Sequence, residues 1–220
     1  MNRTCAAALA GLVLCSVSPV AAQDQLVTTF VPESQRRWDV VGLVGWRGID
    51  KSDVAPDWND WYDVGAFSAS AGRYLTPHVK IDLDVSTTTT GRVYEQVFFG
   101  IPGPFPYYEY RAHGFRRTTI GPSLAYQFFE NRWVHPFVGA GIEGIRETER
   151  LDVQMLPPGS ARPSLPTRET RVGYSAQPFI TGGVKFYASE RAFIRTDTLV
   201  TFSSGGVESA VWRIGAGVDF

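Results

Sequence analysis

Val211-Trp212-Arg213-Ile214-Gly215-Ala216-Gly217-Val218-Asp219-Phe220 closes the chain, and the reading of this stretch decides the fold. An extended backbone turns successive side chains to opposite faces. Drawn out, the stretch puts Trp212, Ile214, Ala216, Val218 and Phe220 on one face, continuing from Ala210, and Val211, Arg213, Gly215, Gly217 and Asp219 on the other. The first face suits hydrocarbon and the second suits a polar interior. A half-buried last strand of a soluble sandwich shows the same alternation, so the rest of the chain has to decide between them.

The pattern returns at Trp38, where Trp38, Val40, Gly42, Val44 and Trp46 alternate with Asp39, Val41, Leu43, Gly45 and Arg47. Trp38 and Trp46 stand as far apart as Trp212 and Phe220. At about 3.3 Å per residue and a tilt near 40°, that spacing covers roughly 20 Å, close to the apolar band between the aromatic girdles of a membrane barrel. The clearest alternation runs from Val79, with Ile81, Leu83, Val85 and Thr87 on its face and Lys80, Asp82, Asp84, Ser86 and Thr88 opposite. No helix could use that order.

Between these anchors the chain divides into strands at 38–47, 61–75, 79–90, 115–129, 133–146, 172–187 and 192–202, followed by the terminal strand. Tight turns at 76–78, 130–132 and 188–191 alternate with long polar or Pro-rich loops at 48–60, 91–114 and 147–171, and 203–208 forms a short last loop. Transmembrane barrels have this alternation of short periplasmic turns and longer outer loops, with an even number of strands from eight upward. A soluble up-and-down barrel shares the strand order but has no use for an aromatic girdle or an apolar outer face. The expected fold is therefore all-β: an eight-stranded antiparallel up-and-down transmembrane β-barrel over 38–220.

The chain has 220 residues, 44% of them hydrophobic and 13% aromatic, with 22 glycines and a formal charge of -1. That length fits one domain. The absence of a basic excess speaks against nucleic acid as a partner. Arg3, the apolar run 6–17 and Val20-Ala21-Ala22 read as a signal peptide over 1–22, too short for a membrane helix. Residues 23–37 read as a polar periplasmic tail. Both cysteines, Cys5 and Cys15, fall inside the signal, which leaves no disulfide or thiol chemistry after cleavage. Leu14 stands where a lipoprotein signal would place a small residue.

The spacing of Arg213, Gly215, Val218 and Phe220 resembles the C-terminal assembly signal of Gram-negative outer-membrane barrels. Pro136-Phe137-Val138-Gly139-Ala140-Gly141 is similar to segments of the OmpA-like, porin-like small barrel family. The resemblance implies an outer-membrane location, recognition by the barrel assembly machinery, and contact with outer-membrane lipid and lipopolysaccharide. It implies no cofactor. We expect a monomer without the peptidoglycan-binding domain of some relatives.

The parity assigned to each strand turns Arg47, Arg73, Lys80, Arg117, Lys185, Arg195 and Arg213 inward, against Asp39, Asp63, Asp82, Asp84, Glu143, Asp197 and Asp219. Eight strands enclose a space that side chains fill, so the balanced signs suggest a paired plug more than a narrow ion path. Catalysis, as in lipid A-modifying barrels, needs a nucleophile and a base near the outer leaflet. Only His113 lies at that end, whereas His78 and His135 fall near the turns, and no catalytic or metal-binding constellation is recognisable. Phe98, Phe99, Phe105, Tyr107, Tyr108 and Tyr110 form either a sticky outer surface or, as the favoured reading, a packed lid or an extension of the third and fourth strands beyond the membrane. Arg111, His113 and Arg116 are placed to meet lipopolysaccharide phosphates. The favoured role is envelope-structural or surface-interacting, without enzymatic activity; a conduit for ions or hydrophobic solutes is the alternative.

Overall fold

The computed structural model describes residues 38–50, 61–99, 107–128, 133–156, 164–165 and 167–220. The expected signal at 1–22 and tail at 23–37 lie outside them. The described chain forms β1 (Trp38–Asp50), β2 (Trp61–Tyr74), β3 (Val79–Thr88), β4 (Gly91–Phe99), β5 (Tyr107–Gln127), β6 (Val134–Leu156), β7 (Thr167–Tyr187), β8 (Ala192–Ser203) and β9 (Gly206–Asp219). Every pairing is antiparallel. β1 pairs with both β2 and β9, and β3 pairs with β5, so the sheet closes into an eight-stranded barrel with β4 as an added piece.

The closing seam joins the two strands that carry the matching aromatics. Trp38 and Phe220 exchange backbone hydrogen bonds of 3.0 and 2.8 Å at one end. At the other end Trp46 lies opposite Trp212, their rings stacked with centroids 5.8 Å apart. Between these levels Gly215 lets β1 approach, since a Cβ there would stand 1.8 Å from the Gly42 carbonyl oxygen. Outward side chains between the aromatic levels are apolar and exposed, among them Val44, Ile81, Leu83, Ile120, Leu124, Ile142, Ile180 and Ile214. A monomer in water would not leave such a continuous belt uncovered. A bilayer would cover it, and a closed barrel leaves no edge unpaired within the hydrocarbon.

Two expected loops turn out to be strand. Of 91–114, residues 91–99 form β4 and pair with 107–115 of β5; the side chains of Phe98, Phe99, Phe105, Tyr107 and Tyr108 lie outside the description. Of 147–171, the ends belong to β6 and β7, which stay in register up to Val153 and Thr167. β3 and β4 are successive parts of one edge along β5, interrupted at Thr89 and Thr90. The expected loop 203–208 is a tight hairpin in which Ser203 pairs with Gly206, whose φ of 123° suits glycine. Four strands, β4 to β7, therefore rise as a sheet beyond the belt at the end away from the termini. The opposite end carries the short turns and both barrel termini.

Candidate functional site

Inward side chains stack in three charged tiers with apolar packing between them. The tier nearest the termini is drawn from β1, β2, β3, β7 and β9. Lys80 sits 2.7 Å from both Asp39 and Asp82. Lys185 donates to Asp39 and, at 2.8 Å, to the Tyr74 hydroxyl. The Tyr187 hydroxyl donates to Asp219 at 2.5 Å. Gly72 makes room for this crowd, because a Cβ there would lie 2.2 Å from the Asp82 carboxylate and 2.5 Å from that of Asp39. Val41, Leu43, Tyr187 and Phe193 pack beside it, and the Lys185 ammonium lies 4.3 Å above the Phe193 ring centre.

The middle tier centres on Arg213. Its Nε donates to Asp197 and its Nη1 to Asp84, both at 2.7 Å, and Nη1 also reaches Ser68 at 3.3 Å. Arg195 donates from Nε to the other Asp197 oxygen at 2.7 Å and lies 4.6 Å over the Phe137 ring. Ala66, Phe179, Leu199 and Val211 form an apolar layer above. In the third tier Arg47 stands 3.5 Å from Glu143, which also accepts from Thr201 at 2.6 Å. Arg117 donates to Glu147 at 3.0 Å and to Glu208 at 2.6 Å, and Gln177 donates to Glu208. Ile49, Val64, Val93 and Phe115, with Tyr62, close the interior beyond it.

This interior is filled. Arg47, Lys185 and Arg213 are each exposed by 2% or less. A cavity of about 10 Å³ lies among Lys80, Gln127, Phe137, Lys185 and Arg195, room for one water. Burying ions is costly, and each tier offsets that cost with an opposite charge at hydrogen-bond distance.

Of the expected interior charges, Arg47, Lys80, Asp82, Asp84, Arg117, Glu143, Lys185, Arg195, Asp197 and Arg213 all lie in these tiers. Arg73 does not. It faces outward opposite Trp38, with its guanidinium 5.4 Å above the indole, and Asp63 is likewise on the outer face. Arg73 lies in the last turn of the belt, where its stem can follow the wall and its charge can reach water. The parity of β2 was legible in Phe67, Ala69 and Ala71 alternating with Ser68 and Ser70, and it places Tyr74 inside. Sequence reasoning also missed Tyr187, Glu147 and Glu208. Tyr187 shares its face with Lys185, whereas Glu147 and Glu208 stood in stretches read as loop.

No protein-family model and no curated protein matches the chain. Solved structures do. Neisserial surface protein A aligns with a TM-score of 0.51 at 14% identity, over 83% of this chain and 96% of that one. The outer membrane protein OprG of Pseudomonas aeruginosa aligns with a TM-score of 0.50 at 11% identity, over 86% and 98%. The N-terminal β-barrel domain of Pseudomonas aeruginosa OprF gives 0.48 at 13%, over 84% and 98%.

The chain has the fold of the small, OmpA-like outer-membrane barrels.

The histidines of this barrel are all engaged locally. His78 in the β2–β3 turn lies 3.1 Å from the Gln127 carbonyl oxygen, and His135 is buried 2.7 Å from the Gln127 amide. His113 and Arg111 point into the barrel mouth and not toward surrounding lipid. His113 lies 3.4 Å from Glu149 and 3.8 Å from Glu95, and Arg111 donates to Glu109 at 2.6 Å. Arg116 faces outward. Among the described residues no cluster of three or more His, Cys, Asp or Glu side chains could hold a metal.

Proposed function

We propose that the chain is an outer-membrane protein with a sealed interior, whose role is envelope-structural and surface-interacting. The observation that carries this reading is the contrast between the two halves of the molecule. Within the belt every inward charge among the described residues has an oppositely charged partner, while beyond it β5, β6 and β7 run to 21, 23 and 21 residues against 12 to 14 in β8, β9 and β1. A barrel that only spanned a bilayer would not need the extra length, since roughly ten residues per strand suffice. The four-stranded rise is a rigid surface held by backbone ladders, and rigid surfaces suit recognition.

Assembly by the barrel machinery belongs to the same proposal. Phe220 is exposed on the outer face of the seam, but Arg213 and Gly215 are turned inward. Reading of Arg213, Gly215, Val218 and Phe220 as one signal must therefore precede closure.

The expected result in planar bilayers is silence from refolded protein whose heat-modifiable gel mobility shows it to be folded. Steady conductance that changes on Arg195→Gln or Asp82→Asn would reject the sealed interior and make these charges a transport path.

A lateral conduit is the second reading, and one seam favours it. The ladder of β2 with β3 ends at Ala66 and Thr88, and one more bond follows, in which Thr89 N–H donates to the Gly65 carbonyl at 2.8 Å. Beyond that level the Tyr62 hydroxyl donates to the Arg92 carbonyl at 3.3 Å, with Val64, Val93 and Phe115 packed behind. If this seam opens, a long-chain fluorescent alcohol should enter vesicles faster with the protein than without, and faster again with Phe115→Ala. Equal rates in all three would remove the conduit.

A further inference from the structure

The sheet that rises beyond the belt mixes Arg111, Arg117 and Arg171 with glutamates on its inner face and carries an excess of arginine on its outer face. Pairing through β4, β5, β6 and β7 puts Glu95, Glu109, Glu147, Glu149 and Glu169 on the face continuous with the barrel interior. The same registers put Arg92, Arg116, Arg146, Arg150 and Arg168 on the face continuous with the lipid belt. Asp152 is the one acidic side chain on that outer face among the described residues, and it is taken up by Arg150 at 3.3 Å and Arg168 at 2.8 Å.

The remaining three arginines form a diagonal that starts where the hydrocarbon belt ends. Ile120 and Gly144 mark the last apolar level, and Arg146 follows, opposite Thr118 and Tyr174. Arg116 is one level higher, opposite Thr148, with its Nε 3.3 Å from the Thr87 hydroxyl. Arg92 is a level higher again, opposite Gly114, whose other neighbour is Arg150. Each level adds about 7 Å along a strand. Gly114 has no side chain to fill the notch between the two guanidinium groups. Among the described residues none of Arg92, Arg116 and Arg146 pairs with a carboxylate. Tyr94 and Tyr174 stand exposed beside them.

Unpaired guanidinium groups at the upper edge of an apolar belt need anions from their surroundings, and a planar fork matches a phosphate. We infer that this outer face of β4 to β7 is a docking surface for the phosphorylated headgroup of a lipid in the surrounding outer leaflet. The lipid's acyl chains lie against Ile120, Ile142 and Ile180 while its phosphates meet Arg146, Arg116 and Arg92. Continuity of the arginine diagonal with the belt favours a membrane lipid over a soluble anion, which would not need that adjacency. The inference rests on the outer-membrane reading given above.

The test uses the full folded barrel in phosphatidylcholine nanodiscs doped with bis-phosphorylated lipid A or with its dephosphorylated counterpart, with retained lipid counted by native mass spectrometry. The wild type should retain the phosphorylated form about tenfold better, the size of effect expected from charge-assisted hydrogen bonds. Arg92→Gln, Arg116→Gln and Arg146→Gln combined should abolish the preference, and Arg171→Gln on the inner face should leave it intact. Equal retention of both lipids by the wild type overturns the docking surface without any variant, as does a preference that survives the triple substitution. Binding of inorganic phosphate that is lost in the triple variant, with no preference of the wild type for phosphorylated lipid A, would assign the arginines to a free anion and also overturn it. Failure of the wild type to enter nanodiscs at all would instead sink the membrane reading.

Discussion

Arg213→Met is expected to destabilise the folded barrel by about 3–5 kcal/mol, the cost of leaving buried partners uncompensated. Arg213 neutralises Asp197 through Nε and Asp84 through Nη1, in a tier where both carboxylates are sealed from water. Methionine fills most of the volume, so a lost cavity contact cannot account for the effect. Arg195 still holds Asp197 in the variant, whereas Asp84 loses its hydrogen-bonded partner. Asp84→Asn added to Arg213→Met should therefore recover a large part of the loss. Denaturant unfolding of the refolded protein in lipid vesicles measures both steps. A variant as stable as the wild type, or a double variant no better than the single, would show that the tier does not act as a coupled unit.

Leu83→Arg has the next largest expected effect, a loss of about 2–4 kcal/mol for a cation near the bilayer midplane. Leu83 is the central outward residue of β3, with Ile81 and Val85 on either side and Ala71 and Pro122 opposite it on β2 and β5. Arginine at this depth cannot reach either interface as easily as Arg73, which lies at the end of its strand. The same vesicle unfolding measures the change, and Val79→Arg at the rim of the same strand should cost less. Equal stability of Leu83→Arg and wild type would mean that this face does not meet hydrocarbon.

The contrast between Leu83 and Arg73 also shows where the sequence was legible. On β1, β3 and β9 the alternation of apolar and charged residues is strong enough to assign every face, and the tiers contain the charges those strands predict. On β2 the contrast is carried by alanine against serine, and two charges, Asp63 and Arg73, share the outward parity of Phe67, Ala69 and Ala71; the register with Trp38 places Arg73 outside with them. The stretches 91–114 and 147–171 failed differently. Outside the bilayer both faces of a strand meet water, so arginine and tyrosine alternate with glutamate and valine, and the two-residue hydrophobic period fades while the backbone ladder continues. The sequence alone offers Arg111, His113 and Arg116 together for lipid contact; pairing of β5 with β4 turns the first two inward and brings Arg92 and Arg146 beside the third.

By itself the sequence determined the barrel, its membrane-facing belt and the two strands that close it, because hydrocarbon on one side and packed charge on the other impose a strict two-residue period. The tertiary structure alone decided which charges meet. Lys185 reaches Asp39 across 146 positions of chain because the strands tilt and stagger as the sheet closes, and that stagger is a property of the closed ring, not of any strand within it. It also decided how far the sheet rises, since beyond the bilayer strand length is set by the pairing of neighbours and no longer by the solvent.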